Sequence, residues 1–254
     1  MTFNRLEKIK NELIDKKYLS FSDLGELFPD VSGMTLRRDI DKLEKAGFVT
    51  KIRGGARINE NNLYTNEDIY SLRAARNLSS KKYVANKALK FIETGRSVYL
   101  DSGTTVMELA RILPDMHLSI ITSGPNIALE IAKRNNPSVN IIGGTLNSNN
   151  CSVAGSIALS NIKHYNFDIA FMAPSGYSDN FGFTIGNSDE GEVKKSIIKK
   201  SNKVIMLMTK DKLGKILPIT FAGLKDIDVI ITDAELSNDF ILNAEKFNVE
   251  ILNI

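Results

Sequence analysis

Thr35, Arg38 and Lys42 recur at intervals of three and four residues, which places a hydroxyl and two cations on one stripe of a helix, with Arg37 flanking it. These are the groups that meet phosphate oxygens and guanine edges when a helix enters the major groove of duplex DNA. Lys51, Arg53 and Arg57 add three cations around Arg53-Gly54-Gly55, placed to lie along a phosphate backbone. A second polar set lies far downstream: Asp101-Ser102-Gly103-Thr104-Thr105, Thr122-Ser123-Gly124, Gly143-Gly144, Ala173-Pro174-Ser175-Gly176 and residues 209–214. Small and hydroxyl-bearing residues ahead of a helix present backbone N–H groups to an anion such as phosphate. Lys212 is a cation for the same anion, and Asp101 and Glu192 are carboxylates that can accept hydroxyl hydrogens.

The first set needs a helix to position it. Leu36, Ile40 and Leu43 supply its buried face, Ser32 is a good N-cap, and Gly47 is the expected C-terminal stop. Residues 48–52 and 56–58 read as two short strands joined by Arg53-Gly54-Gly55, a wing. Upstream, Leu6, Ile9 and Leu13 have helical spacing, and Ser20 with Asp23 reads as a capping box opening a second short helix through Phe28. Residues 1–58 therefore form a winged helix-turn-helix.

The second set needs a different scaffold. Residues 59–66 are polar, rich in asparagine and without hydrophobic periodicity, which suits a linker. The expected organisation is a DNA-binding domain at 1–58, a linker and connecting helix at 59–79, and a ligand-binding and oligomerisation domain at 80–254. Val84, Ala88 and Phe91 share a helical face over 81–93. Six β-rich runs, at 97–100, 118–122, 139–142, 167–172, 203–208 and 229–232, then alternate with helical segments, one of them at about 106–113. That alternation implies a mainly parallel sheet covered on both faces, with the ligand site beyond the carboxyl ends of the strands. Glycine and hydroxyl residues after any one strand are ordinary turn chemistry; their recurrence at five strand ends is what points to binding. The plainer reading of Glu190 and Glu192 is as exposed first-turn acids, and of Lys194 and Lys195 as solvated helix residues.

Composition bounds the function. The 254 residues are 43% hydrophobic and 25% charged, enough for a full core and a small extra domain. No apolar run is long enough to span a membrane and the N-terminus lacks a signal-peptide core, so a cytoplasmic protein is expected. A single cysteine, Cys151, rules out an internal disulfide and agrees with a reducing compartment. His117 and His164 have no second imidazole or thiol at ligand spacing, so no metal is expected. Neither a hydrolase order of Ser, His and Asp nor a GxGxxG fingerprint is present, so no catalytic residues and no cofactor are expected. Residues 1–58 hold 12 Lys and Arg against 9 Asp and Glu, whereas 59–254 hold 21 against 21. The whole excess sits on the DNA-binding half, and it is small enough that tight binding calls for a homo-oligomer, a dimer or tetramer.

The run Ser32-Gly-Met-Thr-Leu-Arg-Arg-Asp-Ile, then Leu43, then Lys51-Ile-Arg-Gly-Gly-Ala resembles the DeoR family of bacterial sugar-metabolism regulators. The resemblance implies that Thr35, Arg37, Arg38 and the wing residues touch DNA. The turn Phe28-Pro29-Asp30-Val31 is one residue longer than the family's usual leucine-glycine-valine turn. Residues 81–233 resemble the family's effector domain, related in fold to ribose-5-phosphate isomerase, through Leu100-Asp-Ser-Gly-Thr-Thr105, Ile142-Gly-Gly144, Asp168-Ile-Ala-Phe171, Glu190-Gly-Glu-Val-Lys-Lys195, Lys212-Leu-Gly214 and Ile231-Thr-Asp233. In the family these loops bind a phosphorylated sugar or related metabolite. Two loops depart from the pattern: TNS is here Thr122-Ser123-Gly124, and DxSK is Thr209-Lys210-Asp211-Lys212.

The expected protein is thus α/β, a winged helix-turn-helix followed by a mainly parallel α/β sheet domain. It is a sequence-specific regulator of carbohydrate-metabolism genes, a repressor rather than an activator, that binds double-stranded operator DNA through Ser32, Thr35, Arg37, Arg38, Lys42, Lys51, Arg53 and Arg57. A phosphorylated sugar would modulate that binding. One alternative is a sugar-phosphate isomerase-like enzyme with an appended DNA-binding domain, using Asp101 or Glu192 as base and Lys212 as electrostatic partner. Another is a constitutive DNA-binding protein whose altered loops bind nothing.

Overall fold

In the computed structural model, which describes residues 2–45, 48–58 and 70–253, helix α1 (Thr2–Lys16) turns Ile9 and Leu13 inward, both fully buried. Strand β1 (Tyr18–Ser20) runs directly into α2 (Phe21–Leu27). Ser20 starts that helix: its Oγ accepts the Asp23 N–H at 3.0 Å, and the Asp23 carboxylate accepts the Ser20 N–H at 2.8 Å. Those bonds from Ser20, backbone first, hold the Asp23 carboxyl below its ordinary range. Helix α3 (Gly33–Lys45) follows, capped by Ser32 Oγ on the Thr35 N–H at 3.3 Å. Leu36, Ile40 and Leu43 are its buried face. Asp39 is buried as well and accepts from Arg5 Nε at 2.6 Å, which ties α3 to α1. Gly47, the expected stop of this helix, lies outside the described residues.

The wing is β2 (Val49–Ile52) and β3 (Gly55–Ile58), paired antiparallel. Strand β1, absent from the sequence reading, pairs with the other side of β3, giving the order β1-β3-β2. Gly55 allows that pairing, because a Cβ there would collide with the Leu19 carbonyl. These elements together with Ser71–Ala75 form one unit; Tyr70 and residues 76–253 form the other. The polar stretch 59–66, expected as a linker, lies outside the described residues.

The second unit takes in Tyr70 of α4 (Tyr70–Ala75), and α5 (Leu78–Ala88) then continues into a 3-10 turn at Leu89–Phe91. It alternates β4 (Ser97–Leu100), α6 (Thr104–Ile112), β5 (Ser119–Thr122), α7 (Pro125–Ile131) and β6 (Ser138–Ile141). A hairpin, β7 (Thr145–Asn147) and β8 (Ser152–Ala154), leads to α8 (Ser156–Ile162) and β9 (Phe167–Met172). Then come β10 (Gly176–Ser178), β11 (Gly182–Ile185), α9 (Ser188–Lys199), β12 (Ser201–Met208), β13 (Ile219–Ala222), β14 (Val229–Thr232), α10 (Asn238–Lys246) and β15 (Glu250–Leu252).

Seven strands form one sheet in the order β15-β14-β12-β9-β4-β5-β6, every neighbouring pair parallel. Alternate residues serve opposite faces. Val98, Leu100, Ile120, Phe171 and Ile205 pack with α5, α6 and α7, whereas Tyr99, Ile121, Met172 and Met206 pack with α8, α9 and α10. Burial on both faces is why 167–172 and 204–208 are near-continuous apolar runs rather than alternating ones. The chain builds outward from β4 through β5 to β6, then returns to the other side of β4 as β9. The order reverses between β4 and β9, which in open α/β sheets is where a ligand crevice forms, beyond the carboxyl ends. Asp168 pins these two strands at the opposite end, accepting the Ser97 N–H at 2.9 Å and the Ser97 hydroxyl at 3.1 Å. No helix among the described residues is long and apolar enough to cross a membrane.

Candidate DNA-reading surface and strand-end cluster

Helix α3 presents Arg37, Arg38 and Lys42 on its exposed side and half-buries Thr35, whose hydroxyl lies 2.9 Å from Ser32 Oγ. The Arg37 guanidinium sits 5.1 Å above the Phe21 ring, which orients a long side chain without neutralising it. Lys42 keeps a loose contact of 3.6 Å with buried Asp39. Arg53 and Arg57 are exposed on the wing. Lys51 differs from its neighbours: its ammonium is 2.5 Å from Asp41 and 3.8 Å from Glu44, and its N–H donates to Glu44 at 2.9 Å. The hydrogen bond to Asp41 holds the ammonium above its ordinary range. Lys51 clamps the wing to the recognition helix, so a phosphate must compete with two carboxylates for it.

In the second unit the strand reversal brings four polar side chains together. Asp101, at the end of β4, accepts the Ser102 N–H and, across the reversal, the Ala173 N–H, each at 2.9 Å. Lys194, from α9, pairs with the same carboxylate and donates to the Ala173 carbonyl at 3.0 Å. The Phe221 ring lies 5.2 Å from the ammonium. Glu190, one turn earlier on α9, accepts Asn147 Nδ2 and Asn150 Nδ2 at 3.0 Å. Ser123, after β5, accepts the Tyr99 hydroxyl at 2.8 Å through Oγ and the Val153 N–H at 2.8 Å through its carbonyl. Burial pushes the Tyr99 hydroxyl far up, so it acts as a neutral donor. Asp101, Ser102, Ser123, Ser152, Glu190 and Lys194 enclose a cavity of about 10 Å³, room for one water.

The other sequence-selected residues divide. Thr104 and Thr105 are buried in the first turn of α6, and Gly103 touches Ala173 so closely that a Cβ would lie 2.6 Å from the Ala173 methyl. Thr122 is buried and its Oγ1 accepts the Gly124 N–H at 2.9 Å. Gly143 and Gly144 turn the chain from β6 into β7, and Gly176 opens β10. Lys212, in the loop after β12, pairs with Asp211 at 2.9 Å. Burial pushes the Asp211 carboxyl up, but Lys212, Thr209 and Asn77 together hold it below its ordinary range. The structure does not bring Glu192 or Lys212 to the lining of the Asp101 cavity: Glu192 is exposed and pairs with Lys195 at 2.9 Å. The acid and the lysine that do line it are Glu190 and Lys194, buried where the sequence reading has an exposed acid and a solvated lysine. Their signal is in the periodicity: Glu190, Val193, Lys194 and Ile197 fall on one face of α9, and that face is the buried one. Asn147, Asn150, Ser152 and Tyr99 also belong to the cluster and were not anticipated.

Comparison with known proteins matches both halves in chain order. The model of the DeoR-like helix-turn-helix domain matches residues 5–62, and that of the DeoR C terminal sensor domain matches 76–234. The chain is 32% identical to the HTH-type transcriptional regulator GlpR of Haloferax volcanii over 223 residues, covering 87% of this chain and 86% of that protein. It is 30% identical to the HTH-type transcriptional regulator GolR of Listeria innocua over 237 residues, 92% of each. Among solved structures, ribose 5-phosphate isomerase A of Methanocaldococcus jannaschii is 17% identical over 54% of this chain and 55% of that one, with a TM-score of 0.40. With a recognition helix and wing in one half, a sensor domain in the other and regulators matched along most of its length, the chain belongs to the DeoR family of transcriptional regulators.

Proposed function

We propose that this regulator is a cytoplasmic repressor of carbohydrate-metabolism genes that binds operator DNA as a homo-oligomer and responds to a phosphorylated sugar at the ends of β4, β5 and β9. The observation that supports this reading best is the buried polar cluster at the strand reversal. Asp101, Glu190 and Lys194 are charged groups nine-tenths or more buried where α9 meets the ends of β4 and β9, and buried charges at a topological switch point suit ligand recognition better than stability. Thr104 and Thr105 at the start of α6 offer N–H groups for a phosphate. Catalysis is disfavoured by the same geometry. Both oxygens of Asp101 accept backbone N–H groups, and Lys194 holds one of them as well, so the carboxylate is not poised as a base.

A sugar phosphate does not fit a cavity of one water, so entry requires part of the lining to move. The β7–β8 hairpin lies outside the seven-stranded sheet, and its Asn147 and Asn150 hold Glu190. The same hairpin holds Tyr70, whose N–H donates to the Asn149 carbonyl at 2.7 Å. Tyr70 is where the chain passes from the second unit to Ser71–Ala75 of the first. A ligand that displaces the hairpin therefore also releases the connection toward the DNA-binding unit, giving the differential affinity that allosteric control needs.

The test is selection of bound sequences from a random duplex pool, followed by titration of the complex with sugar phosphates. One phosphorylated sugar should weaken the complex while its unphosphorylated form does not. Arg38→Ala should weaken DNA binding and leave the sugar-phosphate affinity unchanged; loss of both together, or DNA binding indifferent to every phosphosugar, defeats the reading.

A further inference from the structure

Two side chains beside the cluster have polar atoms that are buried and bonded to nothing among the described residues. One is Ser152 on β8, 2% exposed, whose Oγ lines the cavity with Asp101, Ser102 and Ser123. The other is Asn126 in the first turn of α7, whose Nδ2 and Oδ1 are both buried without a partner. Leaving a buried amide or hydroxyl unsatisfied is costly, so such groups call for a reason. Their positions are related through one short segment. The residue after Ser152, Val153, donates its N–H to the Ser123 carbonyl, which sets β8 against the end of β5. The next residue after Ser123 is Gly124, and a Cβ there would meet Ser102 Cα at 3.2 Å and Asn126 Oδ1 at 3.3 Å. The absence of a side chain at 124 lets the Asn126 carboxamide fold back over the segment beside Ser102, the residue that also borders Ser152 in the cavity.

We propose that Asn126 and Ser152 are ligand-reading residues that bind the hydroxyl groups of a sugar or polyol from two sides of the Ser123-Gly124 segment. This deepens the effector reading above and rests on it. The chemistry selects hydroxyls over an anion. A carboxamide and a hydroxyl each offer donor and acceptor without charge, which matches a hydroxyl that must both give and take a hydrogen bond. The cation nearest the cavity, Lys194, is already neutralised by Asp101, so the anionic part of the ligand is left to the N–H groups that open α6.

The test uses the full chain as wild type, Asn126→Ala and Ser152→Ala. Each is titrated by calorimetry and thermal unfolding with triose, pentose and hexose phosphates, the matching unphosphorylated sugars and inorganic phosphate. Without ligand, both variants should unfold at or above the wild-type temperature, because the substitution removes a buried group that had no partner. Each should lose about tenfold in affinity for the compound that stabilises the wild type, the loss of one hydrogen bond to ligand, while the weak affinity for inorganic phosphate stays unchanged. A variant that unfolds several degrees lower without ligand has a structural role and overturns the proposal. So do variants that bind the sugar phosphate as the wild type does, an outcome that leaves the effector reading standing. A wild type that responds to no compound overturns both.

Discussion

Replacing Lys194 by Met keeps the aliphatic stem and removes only the ammonium. The Lys194 and Asp101 side chains are 4% and 2% exposed, so bulk solvent does not take the ammonium's place. Asp101 keeps the Ser102 and Ala173 N–H groups, the Ala173 carbonyl loses a donor, and a carboxylate is left buried with no countercharge. Removing one partner of a buried pair costs about 3–5 kcal/mol. For a unit of this size each kcal/mol corresponds to about 2–4 °C, so the melting temperature should fall by roughly 6–20 °C. Lys194→Met combined with Asp101→Asn removes both charges, and the double variant should recover most of the loss, with an interaction of about 2–3 kcal/mol in the cycle. Circular dichroism melts at pH 7 give the four stabilities, and DNA affinity measured well below the transition checks that the first unit stays folded. A single variant that melts within 2 °C of wild type, or a double variant equal to the sum of the singles, would refute the idea that this is a buried, mutually dependent pair.

Other perturbations give sharper local readings. Asp168→Ala should cost about 1 kcal/mol at pH 7 by removing the two bonds from Ser97. The backbone bond from Ser97 holds the Asp168 carboxyl below its ordinary range, so this stability is present above about pH 4 and fades as pH falls through the folded value. Denaturant titrations at pH 7 and pH 3 should therefore separate the variant from wild type more widely at pH 7 than at pH 3. Gly55→Ala places a methyl against the Leu19 carbonyl and should cost roughly 1–3 kcal/mol while weakening DNA binding through the wing, read by melting and by anisotropy on one duplex. Arg53→Ala should weaken binding to all duplexes alike and reduce the salt slope by about one, the mark of a phosphate contact. Lys51→Ala should leave that slope closer to wild type, because its ammonium is already occupied by Asp41.

Legibility in the sequence followed the range of the interactions. Strands β4, β9 and β14 begin and end where the apolar runs do, and the remaining four-residue and longer strands of the main sheet lie within one or two residues of theirs. Local caps were equally readable: Ser20 with Asp23, and Ser32 ahead of α3, act within three residues of themselves. What escaped is decided by distant partners. Strands β1, β7, β8, β10 and β15 are three residues each, too short for a period, and exist because an edge is there to pair with. Lys194 looks like a solvated lysine until Asp101, 93 residues away, is folded against it, and Glu190 until Asn147, 43 residues away, reaches it. Lys51 reads as one more wing cation because Asp41 becomes its partner only when the wing closes on α3.

The strand order also sets a timetable for synthesis. Every strand pair of the winged helix-turn-helix is encoded by residue 58, so its small sheet can close soon after it leaves the ribosome. The central strand β4 cannot be completed then, because its partner β9 begins about 70 residues later: the Ser97 contact with Asp168 spans 71 positions. At about 5–20 residues per second, that interval is roughly 4–14 s. For those seconds each new molecule holds a closed wing while the main sheet of its sensor domain is still half built.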